Sequence, residues 1–193
     1  MVIFASGSGS NAENLITFFQ NRDDASVVLV LTNNPHAKVL ERCKKLNVSA
    51  LSFNKTAFTE TDIVLNILKD MQTDLIILAG FLWKFPENIL NSFPNKIINI
   101  HPALLPKYGG KGMYGMRVHE AVVSNKETET GITIHHVNEH YDEGTIIFQA
   151  KCNVAVDDTA EDVAAKIHDL EMEHFPNVVA EILNSQKSNI NSI

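Results

Sequence analysis

Cysteine is scarce in this 193-residue chain. Cys43 and Cys152 are too far apart for a zinc-ligand spacing and too few for a disulfide framework, so the expected home is a reducing cytoplasm. Basic charge is short as well, with 16 Lys and Arg against 23 Asp and Glu and a formal net charge of −7. A protein that tracks a nucleic-acid backbone needs a basic face, so nucleic acid is excluded as a partner. A small anion is not, because a few backbone amides and one or two cations can hold it locally. No apolar run approaches the roughly 20 residues of a membrane span, and no basic leader precedes the first strand-like segment, so neither a membrane nor a signal peptide is expected. Repeats, low-complexity tracts and linkers are also missing. One domain over residues 1–193 is the expectation.

What is present is an alternation of strand and helix patterns. Val2 to Ala5 is a short apolar run, followed by Ser6-Gly7-Ser8-Gly9-Ser10-Asn11 and then Leu15, Ile16, Phe18 and Phe19 at helical spacing. Strands near 27–31 and 50–53 alternate with helices near 37–46 and 60–71, the latter with Ile63, Ile67 and Leu68 on one face. Residues 74–80 are apolar on both faces, as a central parallel strand requires. After about Gly115 the pattern changes to a helix near 116–124, hairpin-like strands near 131–137 and 144–150, and a helix entered after Asp157-Asp158-Thr159. Asp158 and Glu161 have the spacing of a capping box there, and Val163, Ile167, Leu170, Val178 and Ile182 form the helix's apolar stripe. The last eight residues are polar and expected to fray. The pattern predicts an α/β fold: a Rossmann-like open twisted sheet, mostly parallel with an antiparallel part in the C-terminal half, with helices on both faces.

Two stretches carry chemistry. In the turn at 6–11, glycines let the backbone take positive φ and approach a ligand, and the helix start favours an anion. Gly7, Gly9 and Ala12 also satisfy the dinucleotide fingerprint, yet the next strand is followed by Thr32-Asn33-Asn34-Pro35 with no acid to grip a ribose. A nicotinamide cofactor is therefore not expected. Without a Lys after the glycines a Walker loop is excluded too, which leaves a phosphate monoester or a plain tight turn. The second stretch, Ile97 to Pro106, is an apolar strand that takes in Asn99 and His101 and stops at Pro102. Period-two alternation puts Asn99 and His101 on one face, at the carboxyl end where open α/β sheets bind ligands. Phe81-Leu82-Trp83-Lys84-Phe85 ends another strand and is either core or the wall of a pocket for a flat ligand. Pro106 to Gly115, with four glycines, reads as a long, mobile surface loop. His135, on a face with Thr133 and Val137, either orients an acid or fills the core; His119, His136, His140, His168 and His174 read as structural or surface residues.

Together these blocks resemble the folate-dependent formyltransferases. Ala5 to Asn11 looks like that family's phosphate loop and Leu78-Ala79-Gly80-Phe81 like the start of its folate pocket. Asn99-Ile100-His101-Pro102 with Leu104-Leu105-Pro106-Lys107-Tyr108 is similar to its catalytic signature, and Thr130 to His135 followed by Asp142-Glu143-Gly144 is similar to its histidine strand and acid loop. The blocks run in family order from Ala5 to about Phe175. Two departures stand out: Trp83-Lys84 replaces the Arg-Ile of many relatives, and residues 109–115 are longer than the usual Pro-Gly turn.

The resemblance implies transfer of the formyl group of 10-formyltetrahydrofolate to the amine of glycinamide ribonucleotide in purine synthesis, with no metal. It implies Asn99, His101 and Asp142 as catalytic residues and Gly9, Ser10, Asn11 and Glu171 as the ribotide's phosphate and ribose contacts. The folate contacts would be Leu82, Trp83, Lys84, Phe85, Asn99, Tyr141 and Asp142, with His135 and Lys107 in support. Residues 1–100 would form the ribotide half and 101–185 the folate and catalytic half of a monomer or homodimer acting on small molecules. In that chemistry Asn99 and a protonated His101 donate to the oxyanion, Asp142 raising the pKa of His101 and assisting proton transfer. The alternatives are a formyltransferase acting on another acceptor, such as initiator methionyl-tRNA or an amino sugar, a formyltetrahydrofolate deformylase, and a non-enzymatic nucleotide-binding module.

Overall fold

The computed structural model describes residues 1–190, the last three as backbone only. Its strands are β1 (Val2–Phe4), β2 (Leu29–Thr32), β3 (Ala50–Ser52), β4 (Ile76–Leu78), β5 (Ile97–His101), β6 (Glu129–His136) and β7 (Ile146–Asn153). They form one sheet in the order β3-β2-β1-β4-β5-β6-β7. The first five are mutually parallel, and β6 and β7 are antiparallel additions beside β5. The helices are α1 (Ser10–Gln20), α2 (Lys38–Lys45), α3 (Lys55–Thr59), α4 (Ile63–Asp70), α5 (Glu87–Ser92), α6 (Met116–Ser124) and α7 (Ala160–Ile190). Among the described residues no helix is long and apolar enough to cross a membrane.

Alternation along the central strands divides the core in two. Ile3, Ile77, Ile98 and Ile100 pack with residues of α1, α2, α6 and α7 on one face. Val2, Phe4, Ile76, Leu78 and Ile97 pack with α3, α4 and α5 on the other. The chain runs from β1 outward to β2 and β3, then returns to β4 on the opposite side of β1. The β1/β4 boundary is therefore the topological switch point, where the carboxyl ends of the strands open a crevice.

Several local expectations change. The helix expected at 60–71 begins at Ile63 and buries Val64, Leu65 and Leu68, which leaves Ile63 itself exposed. The two short helices α3 and α5 had no readable period; α3 depends on Asn54, whose side chain accepts from the Ala57 N–H at 2.8 Å. At the start of α7 the capping box is formed one residue later than expected. Thr159 and Asp162 exchange N–H donations at 2.9 and 3.2 Å, while Asp158 accepts from the Ala155 N–H and pairs with Lys166. The expected frayed tail is helical as far as Ile190, and residues 191–193 lie outside the described residues.

Pro176 sits inside α7 without breaking it. A proline removes the N–H that would have bonded the carbonyl four residues back, here that of Met172. Asn14 of α1 supplies the missing donor, its Nδ2 lying 2.9 Å from the Met172 oxygen. The repair ties α7 to α1 one residue away from Glu171.

Candidate active site

At the crevice, the turn after β1 is held by backbone. Ser6 N–H donates to the Gly80 carbonyl at 3.0 Å, and Ser6 Oγ accepts from the Leu82 N–H at 3.1 Å, which joins the turns after β1 and β4. Gly9 has φ +74°, and a Cβ there would fall 2.4 Å from Val39 Cγ2, so both the conformation and the space call for glycine. The first α1 amide to reach an intrahelical carbonyl is that of Glu13, which leaves the preceding N–H groups free for an anion. Arg42, the cation nearest this turn in the bonding network, is committed to Glu13 and to the Ser8 carbonyl. Asn11 is buried, and its Nδ2 donates to Glu171 Oε2 at 2.8 Å while its Oδ1 has no partner in the protein. Burial raises the pKa of Glu171, with Asn11 and His168 opposing in part.

A second cluster lies at the end of β5. The pairing of β5 with β6 sets Asn99 opposite His135 and His101 opposite Thr133. His135 Nδ1 lies 2.8 Å from its neighbour's carbonyl, that of His136. A carbonyl only accepts, so Nδ1 carries a proton, while Nε2 faces both Asn99 Nδ2 at 3.1 Å and Asp142 at 3.6 Å. This orients the Asn99 amide and leaves its second N–H for a ligand. By the same reasoning His101 Nε2, 2.8 Å from the Tyr108 carbonyl, is protonated, and Nδ1 is the nitrogen that faces the site.

Asp142 reaches this pair from the loop between β6 and β7, in a left-handed conformation with φ +57°. One carboxylate oxygen accepts from the Gly110 N–H at 2.9 Å and lies 3.6 Å from His101 Nδ1; the other lies 3.6 Å from His135 Nε2. Burial would raise the pKa of Asp142, but His135, His101 and the Gly110 amide together outweigh it and hold the carboxyl below its ordinary value. His101 departs from expectation. Its ring is 3% exposed, and burial, partly countered by Asp142 and the Tyr108 carbonyl, lowers its pKa where the sequence reading expected a raised one. The lowered pKa favours the neutral ring, in which Nε2 carries the proton and Nδ1 is the bare nitrogen.

Both clusters line one cavity of about 700 Å³. Gly9, Ser10, Asn11 and Glu171 are on its wall, as are Leu82, Asn99, His101, Tyr141 and Asp142. Trp83, Lys84 and Phe85 border a smaller recess of about 70 Å³ that shares Asn99, Tyr141 and Asp142 with the main cavity and adds His135. Phe85 contributes chiefly to the core: it is 3% exposed and stacks edge-on to Phe4 with centroids 5.0 Å apart. Lys107 is not brought to the site; it extends to the surface and pairs with Glu127 at 2.9 Å. Among the cavity's basic side chains and imidazoles, the sequence did not point to Lys111, Arg117, His119 and His168 as site residues. His119 is buried with its Nδ1 unpartnered, and only its place on the inner side of α6 distinguishes it from a core residue. Among the described residues, no group of three or more His, Cys, Asp or Glu is arranged to hold a metal ion.

A phosphate-type turn and an Asn-His-Asp cluster facing one crevice at the switch point define a class, and comparison with known proteins supplies its name. The family model described as formyl transferase matches residues 1–179, and the chain belongs to that family. Phosphoribosylglycinamide formyltransferase of Bacillus subtilis is 35% identical over 188 residues, covering 94% of this chain and 93% of that protein. The chloroplastic phosphoribosylglycinamide formyltransferase of Arabidopsis thaliana is also 35% identical, over 191 residues and 94% of this chain, although the chain spans only 64% of that relative's length. Among solved structures, glycinamide ribonucleotide transformylase 1 of Geobacillus kaustophilus superposes with a TM-score of 0.85 at 33% identity, covering 94% of this chain and 97% of that one. The sheet order and the antiparallel C-terminal strands agree with the fold of such transformylases.

Proposed function

We propose that this protein transfers the formyl group of 10-formyltetrahydrofolate to the amine of glycinamide ribonucleotide, a step of purine synthesis in the cytoplasm. The observation that carries the reading is the meeting of Asn99, His101 and Asp142 in the same cavity as the Ser6–Asn11 turn, in a chain of the formyl transferase family. Gly9, Ser10 and Asn11 would take the phosphate through backbone amides, and Glu171 would accept from the ribose hydroxyls. The folate ring would enter the recess beside Trp83 and Tyr141.

Attack of the neutral amine on the formyl carbon yields an oxyanion and an ammonium. The free N–H of Asn99 donates to the oxyanion, and a donor of this kind is worth roughly 3 to 4 kcal/mol at comparable sites. His101 Nδ1, bare and 3.6 Å from Asp142, accepts an ammonium proton, directly or through water. The imidazolium so formed is stabilised by the Asp142 carboxylate and returns the proton to the departing folate nitrogen. Asp142 thus acts mainly by stabilising charge on His101, and His135 by holding the Asn99 amide.

The direct test mixes protein, 10-formyltetrahydrofolate and glycinamide ribonucleotide and follows release of tetrahydrofolate by absorbance. Release only when the ribotide is present is the expected result. Release without the ribotide would point to a deformylase, and none in either case would reject formyl transfer.

A further inference from the structure

The cavity carries a charge imbalance that the two clusters leave open. Asp142 and Glu171 both line it, and its phosphate-type turn has no free cation among the described residues, because Arg42 is taken by Glu13 and the Ser8 carbonyl. Backbone amides supply partial charges only, whereas a phosphate monoester near neutral pH brings close to two full negative charges into a space already holding carboxylates. Full positive charge on the opposite wall would offset that repulsion.

Two cationic side chains line the same cavity, Lys111 in the glycine-rich loop and Arg117 in the first turn of α6. Neither has a carboxylate partner among the described residues. The Arg117 guanidinium lies over the Tyr114 ring, 5.1 Å from its centroid, a contact that restrains the arm without neutralising it. Gly110, whose N–H donates to Asp142, sits immediately before Lys111, so the loop carrying the cation is anchored to the catalytic acid.

We propose that Lys111 and Arg117 form a cation pair that completes the phosphate site from across the cavity, gripping the phosphate of the sugar-phosphate substrate opposite the Ser6–Asn11 amides. The proposal rests on the reading of residues 6–11 as a phosphate turn. Lys111 contributes a point charge on a flexible stem, and Arg117 a planar fork suited to two phosphate oxygens. Both are exposed, so neutralising them removes charge from the mouth of the cavity without opening the core.

The probe is ribose 5-phosphate, titrated calorimetrically into the full chain and into Lys111→Ala, Arg117→Ala and double variants. Each single change is expected to weaken binding about fivefold to tenfold, the size of one charge-assisted hydrogen bond in a partly exposed site, and the double change more than either. The salt dependence of binding should flatten in the same order, and Lys111→Arg should retain most of the affinity. A non-reactive 10-formylfolate analogue should bind all variants within about twofold of the parent. Ribose 5-phosphate affinity unchanged in the double variant, or no binding by the parent protein, overturns the proposal. So does a loss confined to the folate analogue, which would assign the cations to the carboxylates of the folate tail. Since the titration uses no formyl donor, its outcome is readable whether or not the parent protein transfers formyl groups.

Discussion

At the scale of single residues, the site is decided by which nitrogen of each histidine carries a proton. Backbone carbonyls fix one nitrogen of each ring: that of Tyr108 accepts from His101 Nε2–H and that of His136 accepts from His135 Nδ1–H, so His101 Nδ1 faces Asp142 and His135 Nε2 faces Asn99 and Asp142. Asp142→Asn keeps the shape but removes the charge that stabilises a protonated His101. Turnover is expected to fall by about 10²- to 10⁴-fold with ribotide affinity nearly intact, as steady-state kinetics and a ribotide titration would show. The pH profile follows from the same geometry. Burial holds the His101 pKa below its ordinary 6.5, so the neutral base is available through neutral pH. The acid limb of kcat/KM should therefore fall below that value; a limb above it would mean that the resting ring is the imidazolium. Asn99 and His101 were legible in the sequence because period two and a terminating Pro102 are local facts. The protonation of His101 was not, because it depends on how deeply β6 and the loop over it bury the ring.

At the scale of elements, the joint between α1 and α7 places a stability contact beside the proposed ribose contact. Asn14 satisfies the carbonyl freed by Pro176, and the adjacent Glu171 receives the Asn11 amide. Asn14→Ala should cost about 1–3 kcal/mol, the range for an acceptor left unpaired on burial, toward the lower end because the contact is only part-buried, read as a lower midpoint in denaturant unfolding. It should also weaken ribose 5-phosphate binding, since Glu171 and Asn11 lose their shared registration. A change in stability with binding untouched would show that the joint is structural only. Nothing in the spacing of α1 announces this partner. Asn14 lies 158 residues from Met172, and the sequence shows only a proline within a helical pattern.

For the whole molecule, the buried histidines set the pH dependence of stability. Burial lowers the pKa of His101, His119 and His136 from 6.5, so the unfolded chain binds more protons than the folded one as pH falls below that value. Stability is then fully present above about pH 6.5 and lost as pH falls through the depressed folded-state values, at up to about 1.4 kcal/mol per pH unit for each proton displaced. His136, only half-buried, contributes the smaller share. Glu171 has the opposite sign: its raised pKa favours the folded state below 4.5, an advantage lost as pH rises through the folded-state value. The Met1 amine, whose pKa burial also lowers, acts in the same direction as the imidazoles, so the unfolding midpoint should be higher at about pH 7.5 than at about pH 5.5. A midpoint that rises on acidification would mean that the imidazoles are charged in the folded protein.

The sequence by itself determined the α/β alternation, the antiparallel change near Gly115, the glycine turn and the Asn-His strand end, because each is written in periodicity or backbone stereochemistry within some ten residues. Resemblance to a family extended that reading to Asp142 and Glu171. Only the tertiary structure decided what surrounds these groups. It brought His135 to Asn99 through the β5/β6 register, kept Lys107 at the surface, and lined the cavity with Lys111, Arg117, His119 and His168. It also lowered the pKa of His101. The physical reason is one of range: strand and helix patterns come from neighbouring residues, whereas burial, charge balance and proton placement come from groups that only the folded sheet brings together.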